Sequence, residues 1–189
     1  MRVAYTYGTD EWEQAYRELV ERRLAETEKP YILGTPEWVD TYEKLVQEDA
    51  PYKEAAKSWE GSVVIHILAR PEYGLERDIY MFMDLWHGDC RFIRLVPPEA
   101  GEKGDFILTG ELERWEAVMS GELDVVKAMM QGKIKLKGHL PTIVRAVKAA
   151  TRLVELAGQI GTRYISQLSE AEIESLKNLL ATSGAQFGI

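Results

Sequence analysis

The chain has one cysteine, Cys90, and one asparagine, Asn178, in 189 residues. A lone thiol excludes an internal disulfide, so a reducing, cytoplasmic setting is expected. Scarce asparagine beside plentiful Glu, Lys and Arg leans towards a thermophilic source. No apolar run approaches the roughly 18 residues that span a bilayer, and no signal peptide opens the chain. GxSxG, a P-loop, HExxH and a GxGxxG at a strand-to-helix turn are all missing. No motif therefore asks for a nucleotide, a metal or another cofactor, and a non-enzymatic protein is expected.

Acidic residues are missing from one long stretch. Val125 to Val154 contains no Asp or Glu but seven basic residues: Lys127, Lys133, Lys135, Lys137, Arg145, Lys148 and Arg152. The whole chain carries -8, so the remainder carries -15. The overall sign argues against general nucleic-acid binding. The block has two readings: a solvated face that complements acidic elements nearby, or a patch for lipid head groups, a membrane surface or an acyl-CoA phosphate.

What is present begins with an internal repeat. Gly8-Thr9-Asp10-Glu11-Trp12 with Tyr16, Leu19 and Val20 matches Gly34-Thr35-Pro36-Glu37-Trp38 with Tyr42, Leu45 and Val46. Each copy starts a helix: Thr or Asp caps, Pro36 suits the first helical position, and glutamate suits the first turn. Trp, Tyr and Leu at i, i+4 and i+7 then form one apolar stripe. Duplication and shared helix-start grammar both account for the match. The copies are expected to form a helical layer on the following domain, as a lid or as an interface, with one copy available for a homodimer.

A short helix over Tyr52–Trp59 precedes four strands: Ser62–Ala69, Glu76–Trp86, Cys90–Val96 and Phe106–Thr109. They read as a meander, with a tight hairpin at His87-Gly88-Asp89. Two helices follow, carrying Trp115 and Met119, then Val126, Met129 and Met130. A fifth strand, Lys133–Lys137, alternates Ile134 and Leu136 with lysines. One continuous helix is expected from Leu140 to Val154, with Ile143, Val144 and Val147 on its stripe. Ser169–Glu172 is a capping box for a last helix, and Thr182–Ile189 reads as a flexible tail. The expected fold is α+β: a five-stranded, mostly antiparallel sheet with helices on one face and an extra N-terminal helix.

His87, Asp89 and Cys90 are the one cluster with chemistry to offer, as a Cys/His pair or a metal site. Their spacing fits no established ligand pattern, and a turn that contains these residues is the simpler reading. A hydrolase or transferase would rest on them alone. His66 reads as a hydrogen-bonded strand residue. His139 reads as a cap or a head-group contact.

Ser120–His139, the strand Phe106–Thr109 and the entry Trp59-Glu60-Gly61 resemble the sterol carrier protein-2 superfamily, over about Trp38 to Leu156. Family members show a G-x-[IL]-x-[IL]-x-G-[DN] strand before a long apolar helix. Here that strand runs Gly132-Lys133-Ile134-Lys135-Leu136-Lys137-Gly138, with His139 in place of the usual Asp or Asn. The resemblance implies helices over a sheet that encloses an apolar tunnel for a fatty acid, fatty acyl-CoA, phospholipid or sterol-like lipid. The tail would lie among Met81, Met83, Trp115, Met119, Val126, Met129, Met130, Ile134, Leu136, Ile143 and Val147. The head would lie near Lys137, Arg145 or Lys148. Methionines suit an adaptable apolar site, though they also serve as core filler. Residues 34–160 would form the lipid-binding domain, 1–33 a helical extension, and 161–189 a C-terminal helix and tail packed on it. The alternative is a filled core serving as an interaction or dimerisation module beside a lipid-metabolising enzyme. The chain ends Phe187-Gly188-Ile189, without the peroxisomal ending of eukaryotic relatives. No integral membrane segment is expected, though transient contact with a membrane surface fits the basic block.

Overall fold

The computed structural model describes residues 2–189. Both repeat copies start helices, and with the same local geometry. Gly8 and Gly34 take positive φ, 87° and 80°, and deliver the threonine that follows to the helix start. Thr9 and Thr35 each donate their hydroxyl to the carbonyl three residues back at 2.7 Å. The helices are α1 (Asp10–Glu26) and α2 (Pro36–Glu48). Trp12, Tyr16, Trp38 and Tyr42 are buried, and all four side-chain polar atoms find partners in the chain. These rings pack within the chain's own core. Between the two helices β1 (Tyr31–Ile32) pairs in parallel with β7 (Thr162–Arg163).

After α3 (Ala50–Ala55), three strands form a meander: β2 (Val63–Ile67), β3 (Ile79–Trp86) and β4 (Asp89–Leu95). The fourth strand, β5 (Phe106–Gly110), does not extend it as expected. The chain turns through α4 (Pro98–Gly101) and returns β5 to the far side of β2, in parallel. The last strand, β6 (Lys135–Lys137), pairs antiparallel with β5, giving the order β4-β3-β2-β5-β6. The reason lies at the β4 edge, which is already occupied. Tyr16 Oη accepts from Leu95 N–H at 3.1 Å, Glu43 from Ile93 N–H at 2.9 Å, and Gln47 donates to Cys90 carbonyl at 3.1 Å. Side chains from α1 and α2 satisfy the ladder groups another strand would need. Phe106, Ile107 and Leu108 are all buried, as suits an interior strand.

Pairing aligns one apolar row across all five strands: Leu136, Leu108, Ile65, Met81 and Leu95. This face is roofed by α2, α3, α5 (Leu112–Met119), α6 (Val125–Met130) and α8 (Val147–Gly158). On the other face a small cluster of Val64, Tyr80, Val96 and Ile107 packs with Tyr7 and Ala100. The architecture is α+β, with a five-stranded, mostly antiparallel sheet.

Two further expectations change. The helix expected over residues 140–154 is broken into α7 (Leu140–Arg145) and α8 at Ala146, whose φ/ψ of -99°/23° leaves helical space. The expected flexible tail is helical instead: α9 runs Glu170–Phe187. Phe187 is buried against Trp12, Tyr5 and Tyr16, and Ala4 and Tyr5 donate backbone N–H groups to Ala185 and Gln186. Both ends of the chain therefore close on each other.

Candidate ligand cavity

Between sheet and helical roof lies a cavity of about 130 Å³. Its floor is the apolar face of the sheet: Val63, Ile65, Ile67, Met81, Met83, Leu85 and Leu108. Strand alternation turns these residues to one side. Trp38 and Tyr42 of α2, Tyr52 of α3, Trp115, Val118 and Met119 of α5, and Val125 and Met129 of α6 form the walls. Ile143 of α7, Ala146 at the break, and Ala149, Ala150, Leu153, Val154 and Ala157 along α8 close it. The alanines matter most for the void. They face bulky strand residues across the gap and do not fill it.

The wall offers carbon and sulfur. Five aromatic residues line it, and four of them spend their polar atoms on the protein. Trp38 Nε1 donates to Thr162 Oγ1 at 2.8 Å, and Tyr42 Oη to Leu153 carbonyl at 2.8 Å. Trp59 Nε1 donates to Gly61 carbonyl at 2.8 Å, and Trp115 Nε1 to His66 carbonyl at 3.2 Å. Burial raises the pKa of Tyr42 and of Tyr52, so neither phenol ionises near neutrality. With these four donors satisfied and the rest of the wall almost wholly apolar, such a cavity prefers apolar matter to water.

Of the residues expected to contact a lipid tail, Met81, Met83, Trp115, Met119, Met129 and Ile143 line the cavity. Val126, Ile134 and Leu136 pack in the surrounding core, off the wall. Met130 is 66% exposed and Val147 41% exposed, so both face outward. The cause is helical phase. On α6 the i, i+4 pair Val125 and Met129 faces in, which rotates Val126 and Met130 away. The break at Ala146 resets the phase of α8 and turns Val147 out. Lys137, Arg145 and Lys148, expected near a head group, are exposed and do not line the cavity.

Some wall residues escaped the sequence reading. The small-residue stripe leading into α8 has a readable signal, because Ala146, Ala149, Ala150, Leu153, Val154 and Ala157 follow helical spacing. Val63, Ile65 and Ile67 alternate on β2, but their apolar neighbours mask the alternation. The repeat also divides its labour. Trp38 and Tyr42 of the second copy line the cavity, whereas Trp12 and Tyr16 of the first lie one layer further out.

The His87, Asp89 and Cys90 side chains do not converge. His87 Nε2 lies 2.7 Å from Glu60, and its ring stacks on Trp86. Cys90 is buried, which pushes its thiol up to about 12 and disfavours the thiolate. His66 lies on the far face of the sheet, 2.9 Å from Thr109 Oγ1, 2.7 Å from Asp78 and stacked on Tyr80. His139 lies 2.9 Å from Thr142 Oγ1 at the start of α7. Among the described residues, no group of three or more His, Cys, Asp or Glu is arranged to hold a metal. No helix among them is long and apolar enough to cross a membrane.

The model of the SCP-2 sterol transfer family matches residues 40–150, the sheet and most of the roof. The chain belongs to the SCP-2 sterol transfer family. Solved structures agree. A crystal structure of sterol carrier protein 2 is 33% identical, with a TM-score of 0.63 over 67% of this chain and 98% of that one. A conserved hypothetical protein of Thermus thermophilus, described as possibly a sterol carrier protein, is 31% identical. Its TM-score is 0.64, over 72% of this chain and 94% of that one. No match is found among curated proteins. The family match ends before α9 and leaves out α1, so the Trp12–Phe187 layer is an addition to the family pattern.

Proposed function

We propose that this family member binds a lipid non-covalently, with an apolar chain in the cavity, and carries it between sites. The observation that carries this reading is an unfilled void whose wall is carbon and sulfur, in a fold shared with proteins described as sterol carriers. Burying a methylene contributes roughly 0.8 kcal/mol, so a long chain needs no polar machinery for micromolar binding. The ligand class is a fatty acid, fatty acyl-CoA, phospholipid or sterol-like molecule.

The void as it stands compares with the ~150 Å³ dry cavities that admit one benzene. A long chain therefore requires the roof to part. Helix α6 is the element suited to this, because it is only six residues long and presents Val125 and Met129 to the void. Residues 34–160 form the binding unit in this reading. Residues 161–189 and most of 1–33 brace it from outside, while Leu33 reaches the cavity wall.

Native mass spectrometry of gently purified protein tests the proposal. The expected spectrum carries a co-purifying lipid mass, and a fluorescent fatty acid binds competitively with it. Protein that is empty and leaves the probe's emission unchanged contradicts the reading.

A further inference from the structure

We infer that the Tyr52 hydroxyl is the polar anchor of the cavity, and that it selects ligands whose buried end carries a neutral oxygen, a hydroxyl or a carbonyl. The inference rests on the carrier reading above and narrows the ligand class at the same cavity.

Tyr52 is the exception to a wall of carbon and sulfur. The other four aromatic residues on that wall commit their polar atoms within the chain: Trp38 to Thr162, Tyr42 to Leu153, Trp59 to Gly61 and Trp115 to His66. Tyr52 commits only its backbone, whose N–H donates to Asp49 at 2.8 Å. Among the described residues its hydroxyl has no hydrogen-bond partner, although the residue is only 1% exposed. Nor is the hydroxyl sealed among neighbours, as the unpartnered Glu113 Oε2 is. It borders open space, and the space this residue lines is the void. A buried hydroxyl without a partner is costly, so a ligand that supplies one gains what the chain leaves unmade.

The anchor is firmly mounted. Asp49, which caps α3 at Tyr52, is gripped by Arg152 of α8 through two hydrogen bonds, at 2.8 and 2.6 Å. Just beyond α3, the Trp59 carbonyl accepts from His87 N–H at 2.7 Å, which ties this segment to the hairpin between β3 and β4. Tyr52 therefore belongs to the hairpin end of the void, with Trp59, Val63, Met83 and Leu85.

The local chemistry decides which oxygen fits. Tyr42, Tyr52 and Cys90 lie within electrostatic reach of one another, and burial raises the pKa of all three. This end of the void is therefore neutral near pH 7. No Lys, Arg or His is found among the residues that line the void. A carboxylate or phosphate drawn inside would be an unpaired charge in a dry space, which is strongly unfavourable. A charged lipid keeps its head outside, sends in its tail and leaves the phenol unsatisfied. A hydroxyl or carbonyl at the entering end accepts from the phenol without any charge to bury. A site that hydrogen-bonds an oxygen discriminates against chains that lack it.

Displacement of a fluorescent fatty acid from the full chain tests the inference, with 1-decanol and decanoate as competitors. Tyr52→Phe should weaken 1-decanol about fivefold, the worth of one neutral hydrogen bond, and leave decanoate as it is. The urea midpoint of this variant should not fall, because the hydroxyl holds nothing within the chain. Tyr42→Phe, which strips a committed hydroxyl, should lower the midpoint and affect the two competitors alike. Infrared spectra of bound 2-decanone read the contact in the wild type itself. The carbonyl stretch should fall below its value in hexane, and return to that value in Tyr52→Phe. A hexane-like stretch in the wild type overturns the inference, as does an equal response of 1-decanol and decanoate to Tyr52→Phe. A wild type that takes up neither these ligands nor the fluorescent acid overturns the carrier reading, and this inference with it.

Discussion

Tyr16 accepts a hydrogen bond from the backbone N–H of Leu95 at 3.1 Å, so a side chain from the N-terminal helix completes the edge of the sheet. The contact is buried, and burial raises the phenol's pKa. Tyr16→Phe leaves that N–H without a partner. The expected cost is about 1–3 kcal/mol of unfolding free energy, read by urea denaturation. Hydrogen exchange at Leu95 should accelerate in the same variant. An unchanged exchange rate there would show that the edge is held by other means.

The two repeat copies are joined by a buried ion pair. Arg23 donates to both carboxylate oxygens of Glu37, at 3.1 and 2.8 Å, and Glu37 is 1% exposed. Arg23→Ala leaves a buried carboxylate unpaired, which costs about 3 kcal/mol for a pair partly open to solvent on the arginine side. Adding Glu37→Gln should recover part of that loss, because the remaining group is neutral. A double variant as unstable as the sum of the two single variants would mean that the pair contributes no coupling.

Asp49 gives stability a pH dependence. Its hydrogen bonds from Arg152 hold its pKa below the ordinary value of 3.8, and burial opposes this only in part. The folded-state pKa is depressed, so the contribution is fully present above the unfolded value. It is lost as pH falls through the folded value. Urea midpoints should therefore fall more steeply between about pH 4 and pH 2 in the wild type than in Asp49→Asn. Parallel curves would remove this carboxylate from the acid response. The amide should still cap α3 through Tyr52 N–H, now 2.8 Å from Asp49 Oδ2, so the helix is retained.

Local grammar carried the sequence reading a long way, and its failures have physical causes. Apolar runs located β2 and β5, alternation located β3, β4 and β6, and the repeated Gly-Thr-x-Glu-Trp gave both N-terminal helices with Trp and Tyr buried. The parallel insertion of β5 was not readable. It follows from Tyr16, Glu43 and Gln47 occupying the β4 edge, a contact set by packing between distant segments. The break at Ala146 carries no Gly or Pro to announce it, which misplaced Val147. Thr182–Ile189 read as a flexible tail, yet α9 runs on through Ser183 and Gly184 to Phe187. Gly184 lies under the Arg77 guanidinium, which occupies the space a Cβ would need. Met130 lies off the cavity wall, since apolar character on a short helix does not say which side faces in.

The central claim is that the void over the sheet is a ligand site, and filling it is the most direct test. Ala150 lines the void from α8, where a phenylalanine side chain would project into the gap. Titration of wild type and Ala150→Phe with a long-chain fatty acid, read by isothermal calorimetry, compares the two. The account predicts binding by the wild type and at least a tenfold loss (about 1.4 kcal/mol) in the variant. The variant's urea midpoint should fall no further than overpacking of about 1–3 kcal/mol allows. A folded Ala150→Phe protein that binds the fatty acid as tightly as the wild type would contradict it.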